Sequence, residues 1–157
     1  MPTELPNIAA VLTAALQRVP RDQQPLLIAF AERLAADRYR GWAERVEDEN
    51  TKRELEACAR REEEIAALIE SLYSSAKSAQ QKLLAAHPDL LEVNEKLFAP
   101  LELEQQFALQ AQGERLGALT WRAFAQHATD ERTREIFLRC APLEEASADF
   151  LESIARK

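Results

Sequence analysis

The sequence predicts an all-α protein: a four-helix bundle built from two duplicated helical hairpins, joined by one long crossover and preceded by a short helix. Three observations carry that expectation. Of 157 residues only 3 are Gly and 7 are Pro, whereas Ala, Leu, Glu, Gln and Arg, which enter helices at little cost, abound. Apolar residues recur at three- and four-residue steps, and no alternating β-branched run argues for a strand. The two cysteines head the same pattern, "CARREEEIAALIESL" at 58–72 and "CAPLEEASADFLESI" at 140–154, 82 positions apart.

The elements follow in order along a single domain, 1–157. "IAAVLTAALQRV" makes an N-terminal helix within 7–19, which stops before Pro20 and is expected on the outside of the bundle. Hairpin one, 22–74, comprises helices near 22–47 and 49–74. In its turn "VEDENT", Asp48 is placed as an N-cap, with Glu49 in the first turn where the helix dipole favours a carboxylate. The crossover, 75–100, is too long for a tight turn and has an amphipathic run around Leu90, Val93 and Leu97. Hairpin two, 101–157, repeats the scheme with helices near 101–128 and 131–155, Asp130 as N-cap and Glu131 after it.

Laying residues 31–72 on 113–154 gives 16 identities in 42 positions. Less common residues coincide: Glu32-Arg33-Leu34 meets Glu114-Arg115-Leu116, Tyr39 meets Trp121, Trp42 meets Phe124, and Asp48-Glu49 meets Asp130-Glu131. The period far exceeds that of a solenoid and implies one duplication.

The inward faces carry the candidate chemistry. In the second helices the apolar series are Leu55, Cys58, Glu62, Ile65, Ile69, Leu72 and Phe137, Cys140, Glu144, Ser147, Leu151, Ile154. In the first helices they run Ile28, Glu32, Ala35, Tyr39, Trp42 and Ala111, Glu114, Ala118, Trp121, Phe124. Each of four helices therefore puts one glutamate on its apolar face. A buried carboxylate costs several kcal/mol unless protonated, paired or bound to metal.

Glutamate followed seven residues later by an aromatic (Glu32 to Tyr39, Glu114 to Trp121), then a second helix with Ala-x-x-Glu, resembles the ferritin-like superfamily. The segment "TWRAFAQHATDERTREIFLRCAPLEEASA" is similar to its rubrerythrin branch, and the resemblance spans about residues 22–155. It implies a ferritin-like bundle in which Glu32, Glu62, Glu114 and Glu144 hold two iron or manganese ions. It also implies non-haem di-metal oxidase or peroxidase activity. The histidines that the family places three residues after the second-helix glutamates are replaced by Ile65 and Ser147, so the site is a degenerate one. His87 and His127 match neither ligand position, and rubredoxin-like CxxC pairs are absent.

Two functions are open at this point. One is a divergent centre of four carboxylates that still binds Fe or Mn with residual redox activity. The alternative is a metal-free bundle, a structural or protein-interaction module, whose glutamates are paired with Arg33, Arg40, Arg115 or Arg122 or are protonated by burial. Glu63, Glu64 and Glu145 are read as a solvated face, and Tyr39, Trp42, Trp121 and Phe124 as core. Cys58 and Cys140 are expected as free, buried thiols, about 12 Å apart along the axis. Pro142 is expected to kink or restart its helix.

A net charge of −7 argues against nucleic acid and anionic membrane as partners. No apolar run approaches the ~20 residues that span a bilayer, and "MPTELPNIAAVL" lacks the pattern of a signal peptide. Two distant cysteines provide neither a zinc site nor a disulfide framework. The expected setting is the cytoplasm, and the expected assembly a homo-oligomer at the level of a dimer.

Overall fold

Asp48 and Asp130 each start a helix in the same way. Asp48 Oδ2 accepts from the backbone N and the hydroxyl of Thr51, both at 2.8 Å, and Asp130 accepts from the backbone N of Thr133 on Oδ1 and from its hydroxyl on Oδ2, again at 2.8 Å. Both caps satisfy backbone donors that the first helical turn leaves free.

In the computed structural model, residues 4–155 are described; the ends of the predicted domain, 1–3 and 156–157, lie outside the described residues. The elements are α1 (Ile8–Gln17), a 3-10 turn (Arg21–Gln23), α2 (Gln24–Arg45), α3 (Glu49–Glu70), α4 (Ala76–Ala86), α5 (Asp89–Phe98), α6 (Leu103–Gln126) and α7 (Glu131–Ala155). The described residues form a helical bundle without a strand. The crossover, expected to carry one amphipathic run, holds two helices, α4 and α5. α7 continues through Pro142, whose side chain is exposed, so the expected restart of the helix does not occur. An exposed proline removes one backbone donor without forcing its ring into the core.

Packing pairs α2 with α3 and α6 with α7, while α3 lies against α7. α1 rests on α6 and α4 on α2; α1 has no fully buried residue, as expected of an outer helix. One apolar cluster gathers Tyr39, Trp42, Leu55, Phe107 and Leu109. A second gathers Ile28, Ile65, Ile69, Trp121 and Phe137. Trp42 meets Tyr39 and Phe107 edge to face at 5.3 and 5.1 Å, a geometry that aligns ring edges with ring faces.

Surface ion pairs recur at the sequence offset of 82. Arg33–Glu70 in the first hairpin corresponds to Arg115–Glu152 in the second, and Arg40–Glu63 to Arg122–Glu145. Exposed pairs contribute about 0–1 kcal/mol each, so their value here is to report register, with the same two helical faces touching in each hairpin. No helix among the described residues is long and apolar enough to cross a membrane.

Candidate metal centre

The four predicted glutamates are all buried: Glu32 is 8% exposed and Glu62, Glu114 and Glu144 are 1% exposed each. They come from α2, α3, α6 and α7, one per helix, because each occupies an inward position of an apolar stripe. Glu32, Glu62 and Glu144 bring one carboxylate oxygen each within 4.8 Å of one another. Oxygens that share a hard cation at about 2.1–2.4 Å stand no further apart than about 4–5 Å, so this trio fits one ion. Glu114 stands beside them and acts electrostatically on all three.

The donors around the cluster are few. Tyr39 donates its hydroxyl to Glu114 Oε1 at 2.7 Å, and Gln110 donates Nε2 to the same oxygen at 2.8 Å. Trp121 donates Nε1 to Glu144 Oε1 at 2.9 Å. Both oxygens of Glu62, and Oε2 of Glu114, are buried with no hydrogen-bond donor among the described residues. Burial therefore raises the Glu32 carboxyl to about 7, and burial with neighbouring carboxylates drives Glu62 and Glu144 well above the ordinary range. Burial and the adjacent Glu114 also raise Tyr39, which keeps the phenol a donor. Arg38, which donates to Gln110 Oε1 and Asn94 Oδ1 at 2.6 Å, acts on Glu32, Glu62 and Glu114 and lowers Glu32 less than burial raises it; further positive charge at the centre can come from either protons or cations.

The arginines expected to neutralise the glutamates do not reach them. Arg33, Arg40, Arg115 and Arg122 point outward and pair with Glu70, Glu63, Glu152 and Glu145. A guanidinium on the solvated flank finds a carboxylate there without losing its hydration. Glu63, Glu64 and Glu145 form the expected solvated face, in ion pairs with Arg40, Arg139 and Arg122.

Ile65 and Ser147, three residues after Glu62 and Glu144, are fully buried. Ser147 Oγ accepts from Arg61 Nε at 3.0 Å, and Arg61 Nη2 lies 3.2 Å from Cys58 Sγ. His87 and His127 sit at the C-terminal ends of α4 and α6 and belong to neither position. Cys58 and Cys140 are free and buried, as expected.

Sequence reasoning missed four participants. Tyr39 and Trp121, read as core, are the direct donors to the carboxylates. Gln110 lies four residues before Glu114, the spacing at which helical side chains meet, and that signal was available. Gly117 is the fourth. A Cβ there would stand 2.7 Å from Glu144 Cδ, so the absence of a side chain makes room for the carboxyl group. A pocket of about 120 Å³ between α1, α2, α5 and α6 reaches Glu32, Glu114 and Glu144.

Comparison with protein-family models, curated proteins and solved structures finds no match to this chain.

Proposed function

We propose that Glu32, Glu62, Glu114 and Glu144 form a divalent-cation centre in a divergent ferritin-like, rubrerythrin-like bundle, with iron or manganese as the ion. The observation that carries this reading is Glu62, a carboxylate 1% exposed whose two oxygens have no donor among the described residues and one of whose oxygens lies within ion-sharing distance of Glu32 and Glu144. The recurrence of two ion pairs at the same offset supports the duplicated-hairpin arrangement. Hard oxygen ligands suit Fe(II) and Mn(II), and two such ions would balance four carboxylates. When bound there, such ions supply oxidase or peroxidase chemistry. The protein's own contribution is orientation: Tyr39 and Gln110 fix Glu114, and Trp121 with Gly117 fixes Glu144.

A second reading, a metal-free structural or interaction module, is favoured by Ile65, which is apolar where the family has a ligand, and by the commitment of Ser147 to Arg61. Thermal melts with and without Mn(II), or Fe(II) without oxygen, separate the two. The metal centre predicts a melting temperature that rises with metal, by mass action on the folded state, and no rise in Glu62→Gln with Glu144→Gln. Ile65→His with Ser147→His adds two imidazoles and should tighten binding. No shift in the wild type, and none gained by the double-histidine variant, leaves the metal-free module.

A further inference from the structure

Arg38 and Tyr39 are neighbours on α2, and both serve the same oxygen of Glu114. Tyr39 reaches Oε1 directly at 2.7 Å. Arg38 reaches it through Gln110: its Nη1 donates to Gln110 Oε1 at 2.6 Å, and Gln110 Nε2 donates to Glu114 Oε1 at 2.8 Å. Successive residues of a helix point about 100° apart, so when Tyr39 faces the centre Arg38 needs an intermediary. The other branch of the guanidinium is fixed as well, by Nη2 on Asn94 Oδ1 of α5 at 2.6 Å and by the Phe98 ring, whose centre lies 3.9 Å away.

The chain of donors runs in one sense. A guanidinium has no acceptor, so Gln110 must turn its carbonyl to Arg38 and its amino group to Glu114. Gln110 is 7% exposed, and without Arg38 its carbonyl loses a donor where water hardly reaches. With two donors on Oε1, Glu114 keeps Oε2 buried and without a donor among the described residues. Glu32, the aligned glutamate, has Ile28 where Gln110 stands and Thr120 where Arg38 stands, so the device has no counterpart there.

On the divalent-cation reading of the four glutamates, on which this role rests, we propose that Arg38 is a positioning residue: by fixing Gln110 it holds Glu114 by Oε1 and reserves Oε2 for the cation. Arg38 also acts on Glu32, Glu62 and Glu114 as a positive charge, and a charge by itself opposes a second cation. The two roles differ in sign. Removing a charge that only repels tightens metal binding. Removing a brace weakens it, because the partners that orient metal ligands typically contribute about 10–100-fold in affinity.

The experiment is calorimetric titration of the full chain with Mn(II), in the wild type, Arg38→Gln, Arg38→Lys, Gln110→Leu and the double variant Arg38→Gln with Gln110→Leu. Arg38→Gln should weaken Mn(II) about tenfold. Arg38→Lys keeps the charge but not the fork that spans two amides, so it should weaken Mn(II) too, and it decides the sign should Arg38→Gln fail to fold. Gln110→Leu should weaken Mn(II) at least as much, and the double variant no more than Gln110→Leu, since Arg38 acts through Gln110. A second readout needs no metal. With chelator, the side-chain amide protons of Gln110, identified by their loss in Gln110→Leu, should exchange with solvent about tenfold more slowly in the wild type than in Arg38→Gln. Tighter Mn(II) binding in Arg38→Gln, full affinity in Arg38→Lys, additive losses in the double variant, or amide exchange indifferent to Arg38→Gln overturns the proposal. Wild type that binds no Mn(II) overturns the metal reading instead, and the amide exchange then supports or overturns the brace by itself.

Discussion

The backbone of Gly117 lies against the carboxyl group of Glu144, where a Cβ would stand 2.7 Å from Cδ and from Oε1. In a helix interior Ala is ordinarily better than Gly by about 1 kcal/mol. Here the gain is opposed by a contact that real Cβ atoms do not make. Gly117→Ala should therefore displace Glu144, lower the melting temperature and erase any metal-dependent shift. Gly41, exposed in α2 with nothing within 4 Å of a Cβ, is the control. Gly41→Ala should stabilise by about 0.5–1 kcal/mol. Equal stabilisation by both substitutions would contradict the close contact.

Without metal, stability should fall as pH rises. The Glu32 carboxyl is raised from 4.5 to about 7, and Glu62 and Glu144 are raised as well. Raised carboxyls bind protons more tightly in the folded state than in the unfolded chain. Their contribution is fully present below about 4.5 and is lost as pH climbs through the folded values. Urea unfolding with chelator at pH 5.5 and pH 8 should give the lower stability at pH 8, and Glu62→Gln should reduce the difference. A flat profile would count against the buried cluster.

Metal should reverse that slope. Protons and cations compete for the same carboxylate oxygens, so metal affinity rises as protons leave. The melting shift given by Mn(II) should grow from pH 5.5 to pH 7.5. A shift independent of pH would place the ion elsewhere.

Both thiols should be inert in the folded protein. Burial raises Cys140 to about 12 and raises Cys58 despite the nearby Arg61. The thiolate is the reactive form, so a thiol reagent at pH 8 should find neither group in native protein and both after denaturation. Rapid reaction of Cys58 alone would mean that Arg61 activates it.

Losing either cap should cost about 1 kcal/mol. Asp48→Ala frees the donor of Thr51, and Asp130→Ala that of Thr133. Asp48→Asn and Asp130→Asn retain an acceptor and should recover most of the loss. Urea unfolding of the four variants measures it.

The sequence by itself determined the four long helices, the caps at Asp48 and Asp130 and the inward face of each long helix, but not the helix α4 in the crossover. These are local matters: the period of apolar residues, an aspartate before a first turn, a glutamate inside a stripe. Residues four apart on one helix meet whatever the tertiary fold, which is why Glu32, Glu62, Glu114 and Glu144 could be named as inward-facing. The tertiary structure decided what surrounds them. Tyr39 reaches Glu114 across 75 residues of chain, whereas Trp121 at the aligned position reaches Glu144, only 23 residues on. Arg33, Arg40, Arg115 and Arg122 turn outward, while Arg38, with Thr120 at the aligned position, donates to Gln110 and Asn94, lies over Phe98 and acts on Glu32, Glu62 and Glu114. Gly117 aligns with Ala35, and only the approach of α7 makes its missing side chain necessary. Periodicity specifies which side of a helix is buried, but the donor that meets a buried carboxylate is set by how helices remote in sequence lie against one another, and that is an outcome of packing the whole core at once.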